Sequence, residues 1–402
     1  MWRIALKMLM GDTAKFCGIL LGLTFAALLI MQQGAIFCGL MRRTAGQING
    51  VSGVDLWVMD PNVRHIDDVK AMMESNLHRV RGVEGVEWAV PLYKGSGRAK
   101  LNTTDARGEP VTIIESVVLL GLDDTTLVGA PTPGDVIAGD LLDLRTPDAI
   151  VIDKMQLPKY YPGEPWEDLE ALGDAFYDRF LGREMEMNDH RATIVGVCKA
   201  APTFGSNAVV YTTYGRAKQF VAQERKVLSF ILVRTDRSWK AEDVAAAIRS
   251  KTGLGAYSSQ EFARKTILFF LMNTGIVINF GITSLLGLFV GTAIAGQTFY
   301  LFTVDNLKQF GALKAMGATN ARIVGMILLQ AAVVGLIGYG LGVGVSTFVA
   351  DRANAGGGEI QFYVWWPLLP ATAAVVVFIC IFSSLLCIRR VMVLEPAVVF
   401  RA

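Results

Sequence analysis

Four stretches of the chain contain no charged residue and are each long enough to cross a membrane as a helix. They cover residues 16–40, 266–304, 323–350 and 367–388. About 20 apolar residues in a helix span the hydrocarbon core of a bilayer, where every backbone polar group must find its partner within the protein. The composition agrees, because 52% of the residues are hydrophobic and only 18% are charged. The sequence therefore predicts an α-helical membrane protein with four transmembrane helices.

The region between the first and second apolar stretches, residues 41–265, is polar enough to form a soluble domain. Segments rich in β-branched and apolar residues are predicted as strands, and they lie at 54–60, 112–122, 149–153, 191–197, 208–213 and 228–234. Residues 66–80 and 239–251 are predicted as helices. We therefore expect a large α+β domain between transmembrane helices 1 and 2, and a division of the chain into 1–40, 41–265 and 266–402.

Lysine and arginine residues indicate which side of the membrane each part occupies. The two tails and the loop after the second apolar stretch carry Arg3, Lys7, Lys15, Lys308, Lys314, Arg322, Arg389, Arg390 and Arg401. The opposite loop, 351–366, carries Arg352 as its only cation. Because cations accumulate in cytoplasmic loops, the termini are predicted to be cytoplasmic and residues 41–265 to lie outside the cytoplasm. The first stretch is too long for a signal peptide, and no small-residue cleavage pattern follows it, so we expect it to stay attached.

The second apolar stretch is longer than a bilayer requires. Residues 266–304 are about 39 residues, which as one helix would measure roughly 58 Å, nearly twice the hydrocarbon thickness. One continuous helix would protrude from the membrane and form a rigid connection between the two compartments. The alternative is a break at Gly275 or Gly281.

Small residues spaced four apart predict where the transmembrane helices pack closely. We expect such packing at Gly18 and Gly22 in the first helix, Gly287 and Gly291 in the second, and Gly338 and Gly342 in the third.

No pattern typical of an enzyme is found in the sequence. The histidines His65, His78 and His190 lack metal-ligand spacing, and no G-x-x-x-x-G-K-[ST] nucleotide motif occurs. We therefore expect no catalytic residues, no metal site and no bound cofactor. The net charge is only +2, with no long basic run, so a nucleic acid is not the expected partner. An acidic and aromatic segment, 158–190, interrupts the strand pattern and is interpreted as a solvated insertion rather than a docking site for a protein or a lipid.

A short cationic segment follows the second apolar stretch. Leu307, Phe310 and Leu313 recur every three residues, which is typical of a short helix at the membrane surface, and residues 307–317 are predicted to form it. Gly311, Ala312 and Ala315 keep one side slim, which would let the helix enter a groove on another protein. The residues predicted to make this contact are Lys308, Gln309, Phe310, Gly311, Ala312, Leu313, Lys314, Ala315, Met316 and Gly317. Gly317 is placed to end the helix.

The segment "KQFGALKAMGAT", residues 308–319, resembles the coupling segment of the FtsX-like permeases of ABC transporters. That segment usually reads R-E-I-G-[IV]-L-[RK]-A-[LI]-G-A-[ST], and Gln309 stands here in place of its usual glutamate. The layout of one helix, a large outer domain and three further helices resembles the MacB-like, lipoprotein-releasing and DevC-like permeases. Residues 191–220 resemble the later part of their periplasmic core domain.

This resemblance implies a multi-pass permease of the bacterial inner membrane with a MacB-type periplasmic core domain at 41–265. It implies a homodimer bound to separate ABC ATPase subunits, which bind the ATP. A periplasmic adaptor, or membrane-fusion protein, an outer-membrane channel and the membrane lipid are the other expected partners. The implied function is mechanotransmission, in which ATP hydrolysis changes the shape of the periplasmic domains and exports a hydrophobic or amphipathic substrate or a lipid.

Two other functions stay open on the sequence. One is a non-transporting FtsX-like regulator that uses the same movement to activate a cell-envelope enzyme or to sense a peptide. The other is a membrane-bound enzyme, which the sequence favours least because it offers no catalytic arrangement.

Overall fold

The computed structural model describes residues 2–166, 173–205, 207–221, 228–355 and 361–392. Residues 167–172 of the predicted insertion and Arg401 of the predicted cytoplasmic tail lie outside this described part. The chain divides into two compact units, one made of Met1–Leu40 with Gly275–Ala402, and one made of Met41–Thr274. We call them the membrane unit and the outer unit.

The helices and strands are as follows. The helices are α1 (Trp2–Gly11), α2 (Thr13–Thr44), α3 (Gly46–Asn49), α4 (Ser75–Arg81), α5 (Leu157–Tyr160), α6 (Tyr214–Phe220), α7 (Ala241–Thr252), α8 (Ser259–Asn273), α9 (Ile276–Asp305), α10 (Leu307–Ala315), α11 (Asn320–Ala355) and α12 (Leu368–Met392). The strands are β1 (Leu56–Met59), β2 (Val86–Thr104), β3 (Pro110–Leu122), β4 (Val136–Gly139), β5 (Ala149–Asp153), β6 (Glu184–Met187), β7 (His190–Cys198), β8 (Ala208–Thr213), β9 (Phe230–Thr235) and β10 (Gly255–Ser258).

Four of the described helices, α2, α9, α11 and α12, are long and apolar enough to cross a membrane. Their mean hydropathies are 2.1, 1.9, 2.0 and 2.4. Each contains most of one predicted apolar stretch, because a run of residues without charge can satisfy its backbone within a helix and expose only apolar side chains to lipid. The four predicted apolar helices are therefore present.

The second apolar stretch is not one continuous helix, so the prediction of a single rigid connection over 266–304 is wrong. Helix α8 ends at Asn273 and α9 begins at Ile276. Between them Thr274 is extended, with φ −114° and ψ 152°. The Asn273 amide donates to the Phe269 carbonyl at 3.2 Å, and the Thr274 hydroxyl donates to the Phe270 carbonyl. Such side-chain bonds compete with the backbone ladder, and Gly275 adds conformational freedom, so the helix ends here.

The outer unit is built on a mixed sheet. Its strand order is β10-β1-β9-β2-β3-β8-β5-β7-β4, and β6 pairs with both β2 and β7. The β3–β8 and β5–β7 pairs are parallel and the others antiparallel. Strand β2 pairs with three strands: its first half pairs with β9, and its second half pairs with β3 and, at Ala99 and Lys100, with β6. The fold is thus α+β, and the predicted strands at 149–153 and 208–213 have the observed bounds of β5 and β8.

Several parts of the outer unit differ from the sequence prediction, among them the short strands β4, β6 and β10, which were not predicted. Residues 66–80 were expected as one helix, but only Ser75–Arg81 is helical, because Met72 instead forms an isolated bridge with Leu228. Strand β2 was not predicted, because Pro91 and Gly95 are usually strand breakers. Pro91 nevertheless pairs with Ile231, and the Tyr93 side chain of the same strand lies over Gly95, where a Cβ would be 2.1 Å from the Tyr93 hydroxyl oxygen.

The aromatic segment 158–190 is largely packed, which corrects its interpretation as a solvated insertion. Tyr160, Phe176 and Phe180 are buried in the same core as β3 and β5. The Glu164 carboxylate accepts hydrogen bonds from the guanidinium groups of Arg179 at 2.7 Å and Arg183 at 2.8 Å. The described part of the segment therefore covers the sheet.

Candidate functional site

Helix α10 begins immediately after α9, and one buried residue sets the turn between them. The Asn306 side-chain amide donates to the Phe302 carbonyl at 2.8 Å, and the Asn306 carbonyl accepts from the Phe310 backbone amide at 3.1 Å. Asn306 has φ −95° and ψ 9°, which interrupts the α9 helix for one residue. The direction of α10 relative to α9 is therefore held by hydrogen bonds at their junction.

One side of α10 is anchored in the membrane unit. Phe310 is fully buried and packs in the same apolar core as Phe299, Phe302 and Ile323. Leu313 is buried in a smaller cluster with Ala5 of α1 and Met326 of α11. Burying a Phe and a Leu side chain contributes about 1.5–3 kcal/mol each, so this side binds α10 firmly to its neighbours.

The end of α10 is a Schellman motif built on Gly317. The Ala318 amide donates to the Leu313 carbonyl, and the Gly317 amide donates to the Lys314 carbonyl, both at 3.0 Å. Gly317 has φ +88°, a conformation that only glycine adopts without strain. The predicted helix at 307–317 is thus a helix over Leu307–Ala315 followed by a two-residue cap. The cap turns the chain directly into α11.

The opposite side of α10 is open. Lys308, Gln309, Ala315 and Met316 are exposed, Met316 to 75%. We call these four residues the exposed α10 face. Of the three small residues predicted to make one slim side, Ala315 is exposed, Ala312 is half-buried and Gly311 is buried, so they do not form a single accessible surface. Lys314 is half-buried and has an interaction within the unit.

Helix α1, at the start of the chain, packs against α10 and was not predicted from the sequence. Helix α1 buries Ala5 and Leu9, four residues apart, and this i, i+4 pair was the available signal. The Gln330 side-chain amide, itself buried, donates to the Ala5 carbonyl at 2.7 Å. Helix α1 is therefore fixed to α11 by a hydrogen bond and to α10 through Leu313.

An ion-pair cluster joins the start of α2 to the end of α9. The Lys15 ammonium contacts the Asp12 carboxylate at 2.6 Å and also binds the Asp305 carboxylate. The hydrogen bond from Lys15 lowers the pKa of Asp12 below its usual range. Because all three groups are partly exposed, the cluster contributes little stability, and its one ammonium offsets only one of the two negative charges.

The six glycines predicted to pack helices lie at contacts of α2. Gly18 and Gly22 of α2 face α9, where Cβ atoms on them would lie 3.5 Å from Thr298 Cγ2 and 2.6 Å from Ile294 Cγ2. Two glycines of α9 face α2, where Cβ atoms on Gly287 and Gly291 would lie 3.3 Å from Leu29 Cβ and 2.3 Å from Ala26 Cβ. Two glycines of α11 also face α2, where Cβ atoms on Gly338 and Gly342 would lie 2.9 Å from Leu23 Cβ and 2.6 Å from Ala27 Cβ. Helix α2 thus lies close against both α9 and α11.

Within the described residues, no group of three or more His, Cys, Asp or Glu side chains is arranged to hold a metal ion. The candidate site is the exposed α10 face, a surface of a helix whose other side is buried.

Residues 266–396 match the family model of the FtsX-like permease C-terminal domain. No curated protein sequence matches the chain. Solved structures that match the chain include the extracellular domain of the noncanonic ABC-type transporter YknZ from Gram-positive bacteria. The identity is 15% and the TM-score is 0.33, and the match covers 51% of this chain and 98% of that chain. The periplasmic region of MacB from Actinobacillus actinomycetemcomitans shows 14% identity, 56% and 96% coverage, and a TM-score of 0.36.

Both TM-scores are low, and neither structural match establishes the fold or function of the outer unit. The family match does not depend on these two structures, and the matched residues include α9, α10, α11 and α12. The chain therefore contains an FtsX-like permease C-terminal domain at residues 266–396, and the exposed α10 face lies within it.

Proposed function

We propose that the chain is the permease subunit of an ABC transporter that works by mechanotransmission. A separate ATPase subunit binds the exposed α10 face, and the movement driven by ATP hydrolysis passes through the membrane unit to the outer unit. ATP is bound and hydrolysed by that partner. The match of residues 266–396 to the FtsX-like permease domain supports this proposal, as does the position of α10 between two membrane-crossing helices.

The observation that carries the proposal is the two-sided character of α10. Phe310 and Leu313 are buried among α1, α9 and α11, while Lys308, Gln309, Ala315 and Met316 remain exposed. A partner that pushes on the exposed side would therefore move the buried side and the helices packed on it. Because the interior is close-packed, the displacement is passed on as a rigid movement rather than absorbed locally.

The break at Thr274 changes how the movement would reach the outer unit. A single rigid helix would transmit both translation and rotation, whereas a two-residue break transmits translation and permits the helices to change their angle. We propose that α9 acts as the transmitting helix and that the Thr274–Gly275 junction is the joint through which the outer unit responds. Hinges of this kind are formed by a few residues at element ends that absorb the φ/ψ change.

The apolar spans favour a substrate that does not pass through a polar pore. Residues 16–40, 276–304, 323–350 and 368–388 contain no charged residue, whereas ion and proton pathways usually need ionisable groups within the membrane. We propose export of a hydrophobic or amphipathic substrate or a lipid. The permease would act as a homodimer in the inner membrane, with the outer unit in the periplasm contacting an adaptor and an outer-membrane channel.

The ATPase contact is tested by placing a charge on the exposed α10 face. Ala315→Asp is preferred to a change at half-buried Ala312, because a carboxylate at the exposed position stays in water. The aspartate at the end of α10 costs only about 1 kcal/mol in helix propensity and helix-dipole interaction. The tagged full chain is purified from its native cells, and the co-purified ABC ATPase and its hydrolysis rate are measured. We expect at least about tenfold less ATPase per permease, as for central interface residues.

The matched control is Ala106→Asp, in the exposed turn between β2 and β3 of the outer unit. It adds the same charge far along the chain from α10 and should retain the ATPase. Normal ATPase retention by Ala315→Asp would contradict the proposed contact. Equal losses in both variants would show that added charge, rather than the exposed α10 face, is responsible.

Export is distinguished from regulation by the partners of the outer unit. Cross-linking of intact cell envelopes, followed by purification of the full chain, should recover an adaptor or an outer-membrane channel. Recovery of a cell-wall hydrolase in their place would contradict export while leaving the ATPase contact intact.

A further inference from the structure

A cavity of about 280 Å³ lies between the N-terminal helix and the start of the third membrane-crossing helix. Trp2 of α1 lines it on one side, and Arg322, Gly325, Met326 and Leu329 of α11 line it on the other. All five residues belong to the membrane unit. None of them is on the exposed α10 face, so the cavity is a separate feature of the protein.

The cavity lies where the apolar part of α11 begins. Arg322 is the last charged residue before the uncharged stretch 323–350, so its guanidinium marks the boundary between water and hydrocarbon. Trp2 is 72% exposed, and an indole ring is typical of the same boundary because it is apolar with one polar N–H group. Met326 and Leu329, which we call the floor of the cavity, lie further along α11 than Arg322 and belong to the uncharged stretch 323–350.

Helix α1 has the features of a helix that lies in the membrane surface. Its buried residues Ala5 and Leu9 face α10 and α11, and Gln330 binds the Ala5 carbonyl, so the helix is held in place. Trp2, Ile4 and Met10 are nevertheless exposed apolar residues, which is costly in water but favourable at a lipid interface. The wall of the cavity that α1 forms would therefore be in contact with lipid.

The two segments of the chain that line the cavity carry only positive charges. Residues 2–11 and 306–350 contain Arg3, Lys7, Lys308, Lys314 and Arg322 but no aspartate or glutamate. The nearest acids along the chain, Asp12 and Asp305, are both bound by Lys15. Within the described part of the chain no ion pair involves Arg3, Lys7 or Arg322. Arg322 also lies in the first turn of α11, where the helix dipole adds a partial positive charge.

We propose that this cavity binds an anionic phospholipid of the cytoplasmic leaflet. Its phosphate lies beside the Arg322 guanidinium and the Trp2 indole, and the first part of one acyl chain occupies the floor at Met326 and Leu329. The cavity is too small for a whole lipid, so the remainder stays in the bilayer. Bound lipid would fasten α1 to α11, and α1 in turn packs on Leu313 of α10.

Native mass spectrometry of the detergent-purified full chain tests the proposal without an ATPase present. The protein is titrated with phosphatidylglycerol and separately with phosphatidylcholine, for the wild type, Arg322→Gln, Trp2→Ala and Lys251→Gln. Lys251 is exposed on α7 of the outer unit, so its variant controls for the loss of one positive charge. We expect tighter binding of phosphatidylglycerol than of phosphatidylcholine, and about fivefold weaker phosphatidylglycerol binding for Arg322→Gln. Trp2→Ala should weaken it also, and Lys251→Gln should bind as the wild type does.

Three outcomes would overturn the proposal. Equal retention of the two lipids would show that the anionic head is not recognised. Wild-type lipid binding by Arg322→Gln, combined with loss of the co-purified ATPase, would assign the cavity to the protein interface. Displacement of phosphatidylglycerol by an equal concentration of inorganic phosphate would show that a free anion, rather than a lipid, is the ligand. Because the lipid titration needs no ATPase, its failure would leave the proposed ATPase contact standing.

Discussion

Asp153 shows how a single side chain of the outer unit is held in an unfavourable environment. It ends β5 and is only 7% exposed. Its carboxylate accepts from the backbone amides of Met155 at 3.2 Å and Ala200 at 3.3 Å. Burial raises the pKa of Asp153 to about 6, and the two backbone hydrogen bonds only partly oppose that rise. Between about pH 4 and pH 6 the Asp153 carboxyl group is therefore mainly protonated in the folded protein and mainly ionised in the unfolded chain.

This raised pKa predicts a loss of stability with rising pH. Below about pH 4 the Asp153 carboxyl group is protonated in both the folded and the unfolded state, and the unfolding free energy has its full value. The unfolding free energy falls as the pH rises to about 6 and stays low at higher pH. The shift corresponds to at most about 3 kcal/mol of unfolding free energy. Asp153→Asn keeps an oxygen acceptor but cannot ionise, so we expect its thermal midpoint to exceed that of the wild type at pH 7.5 and the difference to shrink at pH 4.5.

Asp140→Asn is the control, because the exposed Asp140 side chain accepts from the Leu142 amide at 2.9 Å in a similar cap. Its thermal midpoint should differ from the wild type equally at both pH values. A pH-independent difference for Asp153→Asn would contradict the assignment of the penalty to the buried carboxylate.

At the scale of elements, the membrane helices differ in how closely they approach one another. Glycines four residues apart on α11 face different surroundings according to the side they occupy. A Cβ on Gly342 would lie 2.7 Å from the Thr24 carbonyl oxygen, whereas one on Gly340 or Gly344 would meet nothing within 4 Å. Gly340 and Gly344 have the same spacing as Gly338 and Gly342, and only the structure shows which pair faces α2.

Two valine substitutions on α11 distinguish the effect of helix packing on stability from the effect of helix propensity. Gly342→Val forces the valine against the Thr24 backbone and should lower stability by about 1–3 kcal/mol. Gly344→Val makes the same chemical change on the open side of the helix and should leave stability nearly unchanged. The measurement is the thermal unfolding midpoint of each variant in one detergent. Equal midpoints for the two variants would contradict the packing of α11 against α2.

At the scale of the whole molecule, the charge distribution predicts which parts are reached from each side of the membrane. The exposed α10 face is expected to be cytoplasmic, and residues 41–265 to lie outside the cytoplasm. Met316 and Ala106 are exposed representatives of the two regions. Cysteine labelling at these positions therefore tests the orientation on which the proposed function depends.

A membrane-impermeant maleimide should label Ala106→Cys in intact spheroplasts and Met316→Cys only after the membrane is opened. Both variants are made in a chain whose five native cysteines are replaced. The unsubstituted cysteine-free chain controls for background labelling. Labelling of Met316→Cys but not Ala106→Cys in intact spheroplasts would reverse the orientation and exclude an ATPase contact at α10.

Features that depend on local composition could be predicted from the amino-acid sequence alone. Four uncharged stretches identify the apolar helices, because lipid admits a chain only when its backbone is satisfied internally and its side chains are apolar. The segment 308–319 likewise identified α10 and its glycine cap, because a cap is encoded within a few residues. The strands at 149–153 and 208–213 were also readable, since continuous runs of β-branched and apolar residues suit fully buried strands.

Tertiary structure decided everything that depends on residues far apart in the chain. Strand β2 accommodates Pro91 by pairing with β9, and α1 is placed by its contacts with Gln330 and Leu313. The cavity between Trp2 and Arg322 joins residues that are neighbours only in the folded chain. Whether a glycine packs or faces open space is set by which side of a helix meets a partner, and helical periodicity alone does not name that partner.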